Sequence, residues 1–200
     1  KLLMVIATGP GDLFSKKPVY KLEDINGMQI RATGLTAETL QLAGAVPVGM
    51  PQSEAYEALS KGIVSGNLAP LEVLKTWKHG EVTRYVTRTP FMYNTLFYVT
   101  MNLKKWNSIP EDLQQVIIDT TLKFQDEVGI GLWDKQNEEA LKWAIEEEGM
   151  EIIELSEEEM ARWIKAVEPM LDKYIEEKGE AGRKAIDVAK RLAEKYNNEY

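Results

Sequence analysis

The sequence predicts an α/β protein: one lobe with a mainly parallel sheet in residues 1–100, then a long helix and further helices in residues 101–200. Three observations predict it. Short apolar, β-branched and aromatic runs alternate with short helical stretches through the first half, a βαβ rhythm punctuated by Gly and Pro. Apolar spacing in the second half follows the helical period instead. Charge divides at the same place, with 10 Lys or Arg against 8 Asp or Glu in residues 1–100 and 14 against 24 in residues 101–200.

The elements follow in order. Residues 2–7 read as a buried strand already under way at Lys1, so further chain is expected upstream. Residues 8–12, with Gly9, Pro10 and Gly11, read as a loop. Asn26 and Gly27 turn the chain into a strand at 28–33. A helix at 37–43 stops at Gly44, and a strand follows at 46–50. Ser53 is suited to cap a helix through 59, ended by Gly62. Residues 63–64 are strand-like and Gly66 breaks them. A helix over 71–82 follows Pro70, and strands are expected at 85–89 and 96–101.

Ser108 and Pro110 open a helix that runs to about 148, a rod of roughly 57 Å. Its apolar face shifts from Leu113, Val116 and Ile117 to Trp133, Leu141 and Ile145, with a bend expected near Gly129 and Gly131. A rod that changes face packs against more than one body. A strand at 151–155 precedes Ser156, whose spacing to Glu159 is that of a capping box. Pro169 should interrupt the next helix, Gly179 and Gly182 should break it, and residues 185–196 form a last amphipathic helix.

The chemistry is narrowed first by what is missing. A net charge of −8 disfavours nucleic acid, whose phosphates need a basic face. There is no Cys and one His, so thiol catalysis, a His triad and a Cys or His zinc site are excluded, and no metal or cofactor is expected. That one His, His79, sits among Lys78 and Gly80 and reads as a surface residue. Acidic runs such as residues 146–148 read as solvated helix faces. No catalytic residue is proposed. An enzyme would have to work with Asp, Glu, Tyr or Lys. A protein-interaction module on the acidic half is the other open class.

Arg31 remains, at the end of a buried strand where it enters a polar loop. Ligands of open α/β sheets bind beyond the carboxyl ends of strands, and a guanidinium there can grip a carboxylate with two parallel hydrogen bonds. A structural ion pair with an acid such as Glu54 is the competing reading. Trp77 could serve either core or site. Phe91, Met92 and Tyr93, after Pro90, could line a cleft or fill the core, while Trp133 reads as a helix-contact residue.

Residues 18–31, Pro-Val-Tyr-Lys-Leu-Glu-Asp-Ile-Asn-Gly-Met-Gln-Ile-Arg, resemble the segment before the ligand arginine in TRAP-transporter solute-binding proteins of the DctP type. The resemblance continues through residues 44–51, 53–59, 62–66, Met101-Asn102 and 106–112, several blocks in the right order. It implies a periplasmic binding protein type II-like fold of two lobes around a cleft. This chain would be the second lobe, with hinge strands at 2–7 and 91–101. Residues 101–200 would be the spine helix and a helical region belonging partly to a first lobe that lies upstream with the signal peptide.

The same resemblance implies a periplasmic, non-enzymatic receptor that hands a small organic acid to TRAP membrane subunits. The alternative is a carboxylate-sensing or interaction module without a transport role. Arg31 matches the arginine that holds the ligand carboxylate, and Gly11, Thr33, Gln52, Asn67, Pro70 and Phe91 would lie around it, with amides near Gly11 free for the anion. Sialic-acid-binding members carry a second arginine where this chain has residues 8–12, and an Asp-Gly-Gln-Glu-Asn-Pro run where it has Ser65 to Pro70. The departures imply a monocarboxylate with an apolar or aromatic body. Without the first lobe, apolar surface would be open and the chain prone to self-association.

Overall fold

The computed structural model describes residues 1–197, without the side chains of Ile130 and Asn197. Strands β1 (Leu2–Ala7) and β2 (Gly11–Ser15) precede a 3-10 turn at Leu22–Ile25, β3 (Gln29–Arg31), α1 (Leu35–Leu42) and β4 (Val46–Val48). Then come α2 (Gln52–Ser60), β5 (Gly66–Pro70), α3 (Val73–Thr76), a 3-10 turn at His79–Glu81, β6 (Tyr85–Thr87) and β7 (Leu96–Thr100). Helix α4 (Leu103–Asn107) leads to α5 (Glu111–Phe124), a π-helical turn at Gln125–Gly129 and α6 (Ile130–Glu146). β8 (Glu151–Ile153), α7 (Glu157–Val167) and α8 (Pro169–Asn197) complete the order.

The α/β class holds, but the sheet is mixed rather than mainly parallel. Six strands lie in the order β4-β3-β5-β2-β6-β8. β3 is parallel to β4 and β5, and β6 to β8, while β2 runs antiparallel to both β5 and β6. The sequence hides β2 because its residues, Gly-Asp-Leu-Phe-Ser, are polar at both ends, yet all five are buried. Asp12 is tolerated there because its Oδ1 accepts from the Thr89 N–H at 2.6 Å and its Oδ2 lies 3.0 Å from Arg88 Nε. Burial nonetheless pushes Asp12 up to about 6, against the pull of Arg88 and Thr89. Gly66 does not break a strand at 63–64; it begins β5. A Cβ on it would stand 2.8 Å from the Phe14 carbonyl oxygen, so the close approach of β5 to β2 requires a glycine.

The helix expected over 71–82 is also corrected. Only Val73–Thr76 is α-helical, because Lys78 adopts φ 60° and turns the chain into the His79–Glu81 turn. Pro51, not Ser53, precedes α2. The capping box of α7 is half built: Ser156 Oγ accepts from Glu159 N at 3.2 Å, but the Glu159 carboxylate accepts from Leu22 N at 3.1 Å. As expected, Pro169 interrupts the helix opened at Ser156: α7 stops at Val167 and Pro169 opens α8, which Gly179 breaks with φ 60°, whereas Gly182 stays helical.

Two large apolar clusters, and a smaller one at Ala58, Leu59 and Val64, hold this part of the chain. Leu13, Ile30, Leu40 and Leu68 pack with Leu155 and the fully buried Trp163 on one side of the sheet. Phe14, Leu74 and Val86 pack with Ala144 and Met150 in the other large cluster. That second cluster is where α6 sits, whereas α5 has no buried residue, so the shift of apolar face along the rod corresponds to one half that is packed and one that is open. β1 pairs antiparallel with β7, and every residue of β7 is exposed.

Candidate functional site

Because β3, β4 and β5 run parallel, their carboxyl ends share one edge of the sheet. β2 starts from that edge, with Gly11 opposite Pro70. A cavity of about 420 Å³ lies along it, with Arg31, Thr33, Gln52 and Pro70 among its lining residues. Leu68, Val73, Trp77, Tyr93, Phe97 and Trp133 give it an apolar and aromatic wall. A second cavity of about 440 Å³ shares Thr8 and Trp133 with it.

Arg31 is 8% exposed. Its Nε and Nη2 both donate to the Met50 carbonyl oxygen, at 3.1 and 3.0 Å, and it has no acidic partner among the described residues. Two of five N–H donors are thus engaged on one neutral acceptor, which fixes the guanidinium plane and leaves the Nη1 side unclaimed. Burial lowers its pKa, opposed by Tyr93. The ion pair with Glu54 is not formed, so the competing reading of Arg31 fails on geometry.

His79 is not a surface residue; it is fully buried. Its Nε2 lies 3.2 Å from Gln52 Nε2 and its Nδ1 lies 3.1 Å from Asn67 Nδ2, while its carbonyl accepts from Thr83 Oγ1 at 2.7 Å. Burial first, and the nearby Arg31 cation second, push its pKa down to about 4. A neutral imidazole has one donor and one acceptor, so one flanking amide must present its oxygen and the other its nitrogen. Asn67 and Gln52 are thereby linked through His79, and Gln52 carries that order to the cavity wall.

Of the residues expected at the site, Arg31, Thr33, Gln52 and Pro70 come together in the cavity. Asn67 stands behind it on His79, fully buried. Gly11 stands behind Tyr93: a Cβ there would lie 2.7 Å from the ring, so the glycine admits the aromatic. Two of the amides expected to be free near Gly11 are used, Gly11 N donating to Tyr93 O and Thr8 N to Thr95 O. Phe91 packs against the core cluster instead of lining the cavity. Sequence reasoning missed Glu72, read His79 as a surface residue, left Tyr93 open between cleft and core, and assigned Trp133 to packing. A tyrosine three residues after Pro90 carried a faint signal; His79 and Glu72 carried none.

Comparisons with known proteins agree with one another. The family described as bacterial extracellular solute-binding protein, family 7 (DctP) matches residues 1–178. A Salmonella typhimurium protein named YiiZ is 33% identical over 165 residues, covering 79% of this chain and 47% of its own length. The C4-dicarboxylate-binding periplasmic protein DctP of Rhodobacter capsulatus is 28% identical over 174 residues, 86% of this chain and 52% of that protein. A solved marine-metagenome TRAP solute-binding protein, specific for aromatic acid ligands and in complex with metahydroxyphenylacetate, superposes with a TM-score of 0.87 at 32% identity. It covers 98% of this chain and 64% of that one. The chain therefore spans about half the length of the curated relatives it matches.

Proposed function

The chain belongs to the family 7 bacterial extracellular solute-binding proteins, the TRAP receptors of the DctP type, and from that premise we propose that it forms the carboxylate-gripping part of a periplasmic receptor serving TRAP membrane subunits. Its cargo is a small monocarboxylate with an apolar or aromatic body. Arg31 is the anion anchor, with Thr33, Gln52 and Pro70 beside it. Gly11 and Asn67 act from behind, through Tyr93 and His79. Phe91 has no assigned ligand contact. Family and solved neighbours are solute-binding proteins rather than enzymes, and no reaction is assigned.

One observation carries this reading: a buried guanidinium whose N–H groups meet only a neutral carbonyl. An unpaired buried cation is costly, and an incoming carboxylate would relieve that cost with charge-assisted hydrogen bonds. The apolar wall supports an apolar body, and the bound metahydroxyphenylacetate of the marine-metagenome relative is an acid of that kind. The test is calorimetry on the complete protein with a panel of aromatic and aliphatic monocarboxylates. Arg31→Ala should weaken the best binder by about thirtyfold or more, the usual range for losing one partner of a buried charge pair. Affinity within about twofold of wild type would overturn the anchor role.

A further inference from the structure

Glu72 lines the same cavity as Arg31 and forms no ion pair with it among the described residues. It is 7% exposed, and its Oε2 is buried without a hydrogen-bond partner. Its backbone is fixed, because Glu72 N donates to Asn137 Oδ1 of α6 at 2.9 Å. Burial pushes its carboxyl up to about 6, although its own N–H and that of Val73 pull the other way. The Oε2 so placed lacks a donor, and leaving it so costs more than a typical hydrogen bond contributes. Arg31, in the same space, has only the neutral Met50 carbonyl as acceptor among the described residues. A ligand able to satisfy both must have a carboxylate at one end and a donor elsewhere.

We propose that Glu72 is a second polar pole of the cavity, one that accepts a hydrogen bond from a hydroxyl or ammonium group on the ligand's body, remote from the carboxylate held by Arg31. This rests on the carboxylate reading above and narrows the cargo to acids with a distal donor. Trp77, Tyr93, Phe97 and Trp133 border the same space. Aromatic faces suit a planar body and also favour a cationic group beside them.

The test measures Kd on the complete protein for benzoate, 3-hydroxybenzoate and 3-(aminomethyl)benzoate, which share a carboxylate and differ in the donor. Wild type should bind one donor-bearing acid about tenfold or more tighter than benzoate, as expected for a hydrogen bond to a charged acceptor. Glu72→Leu should erase that advantage, read as the ratio of the donor-bearing acid's Kd to that of benzoate within the same variant. Glu72→Gln, which is less disruptive, should keep the advantage of a hydroxyl and lose that of an ammonium, and so separates the two donors. Benzoate binding with no gain from either donor, or a gain that survives Glu72→Leu, overturns the role of Glu72 alone. Failure of wild type to bind any of the three overturns the aromatic-carboxylate reading and the Glu72 proposal with it.

Discussion

His79 offers a direct measurement of the site's interior, since the chain has no other histidine. Its folded pKa is about 4, against an ordinary 6.5. Below pH 6.5 the unfolded chain takes up a proton that the folded chain refuses until about pH 4. The stabilising contribution of neutral His79 is therefore complete above pH 6.5 and is lost as the pH falls through that window. Between pH 7 and pH 5 the loss comes to about 2 kcal/mol.

Asp12 and Glu72 act in the opposite sense. Both have folded values near 6, so protonation relieves them over the same interval, by about 1 kcal/mol each. The wild-type stability curve is therefore expected to be nearly flat from pH 7 to 5. The informative quantity is the difference between wild type and His79→Gln in urea unfolding at several pH values. It should shrink by about 2 kcal/mol between pH 7 and 5, because the carboxyl contributions cancel in the difference. The imidazole proton resonance should give the pKa with no assignment step. Parallel stability curves, or titration near 6.5, would refute a buried, amide-flanked His79.

Three further outcomes are expected. Saturating the site with a carboxylate should raise the His79 pKa, because the anion offsets the Arg31 cation that helps depress it; an unchanged titration would separate His79 from the anchor. Gly66→Ala should destabilise the protein by about 1–3 kcal/mol in thermal or urea unfolding, since the new methyl meets the backbone oxygen of Phe14 and cannot be accommodated by a rotamer change. The 200-residue chain by itself should show concentration-dependent mass in light scattering, because Leu96, Phe97, Tyr98 and Val99 of β7 are all at least 43% exposed. A monomer at all concentrations would count against that.

Local signals reached the elements whose composition matched their environment. β1, α1, the start at Pro110 and the Gly179 break were all legible, because pattern, caps and glycine act within a few residues. β2 and β5 were not. They are the central strands, yet Gly11–Ser15 and Gly66–Pro70 carry Asp, Ser, Asn, Gly and Pro, and the Asp12 and Asn67 side chains find their partners far away in sequence, at Thr89 and His79. His79 was misjudged for a related reason. Its neighbours in sequence are polar, but the left-handed Lys78 turns it into the fold, where Gln52 and Asn67 wait from other elements. Arg31 was legible as a strand-end cation. Its lack of a counter-ion, the property that bears on function, is a fact of three dimensions.

That property separates the site from ordinary packing. A fold shaped for stability alone would bring Arg31 and Glu72 together, since each is buried and each lacks an opposite charge. Instead Arg31 is pinned through two N–H groups to Met50 O, and the Glu72 backbone is pinned to Asn137. Pinning each to a different neutral group keeps both charges available without letting them collapse onto each other. The rotamer entropy of the guanidinium is already spent on Met50 O, so less would be lost on binding the proposed carboxylate. On the proposed reading, the unsatisfied electrostatics would amount to a deferred interaction energy, released by a molecule that brings an acceptor to Arg31 and a donor to Glu72.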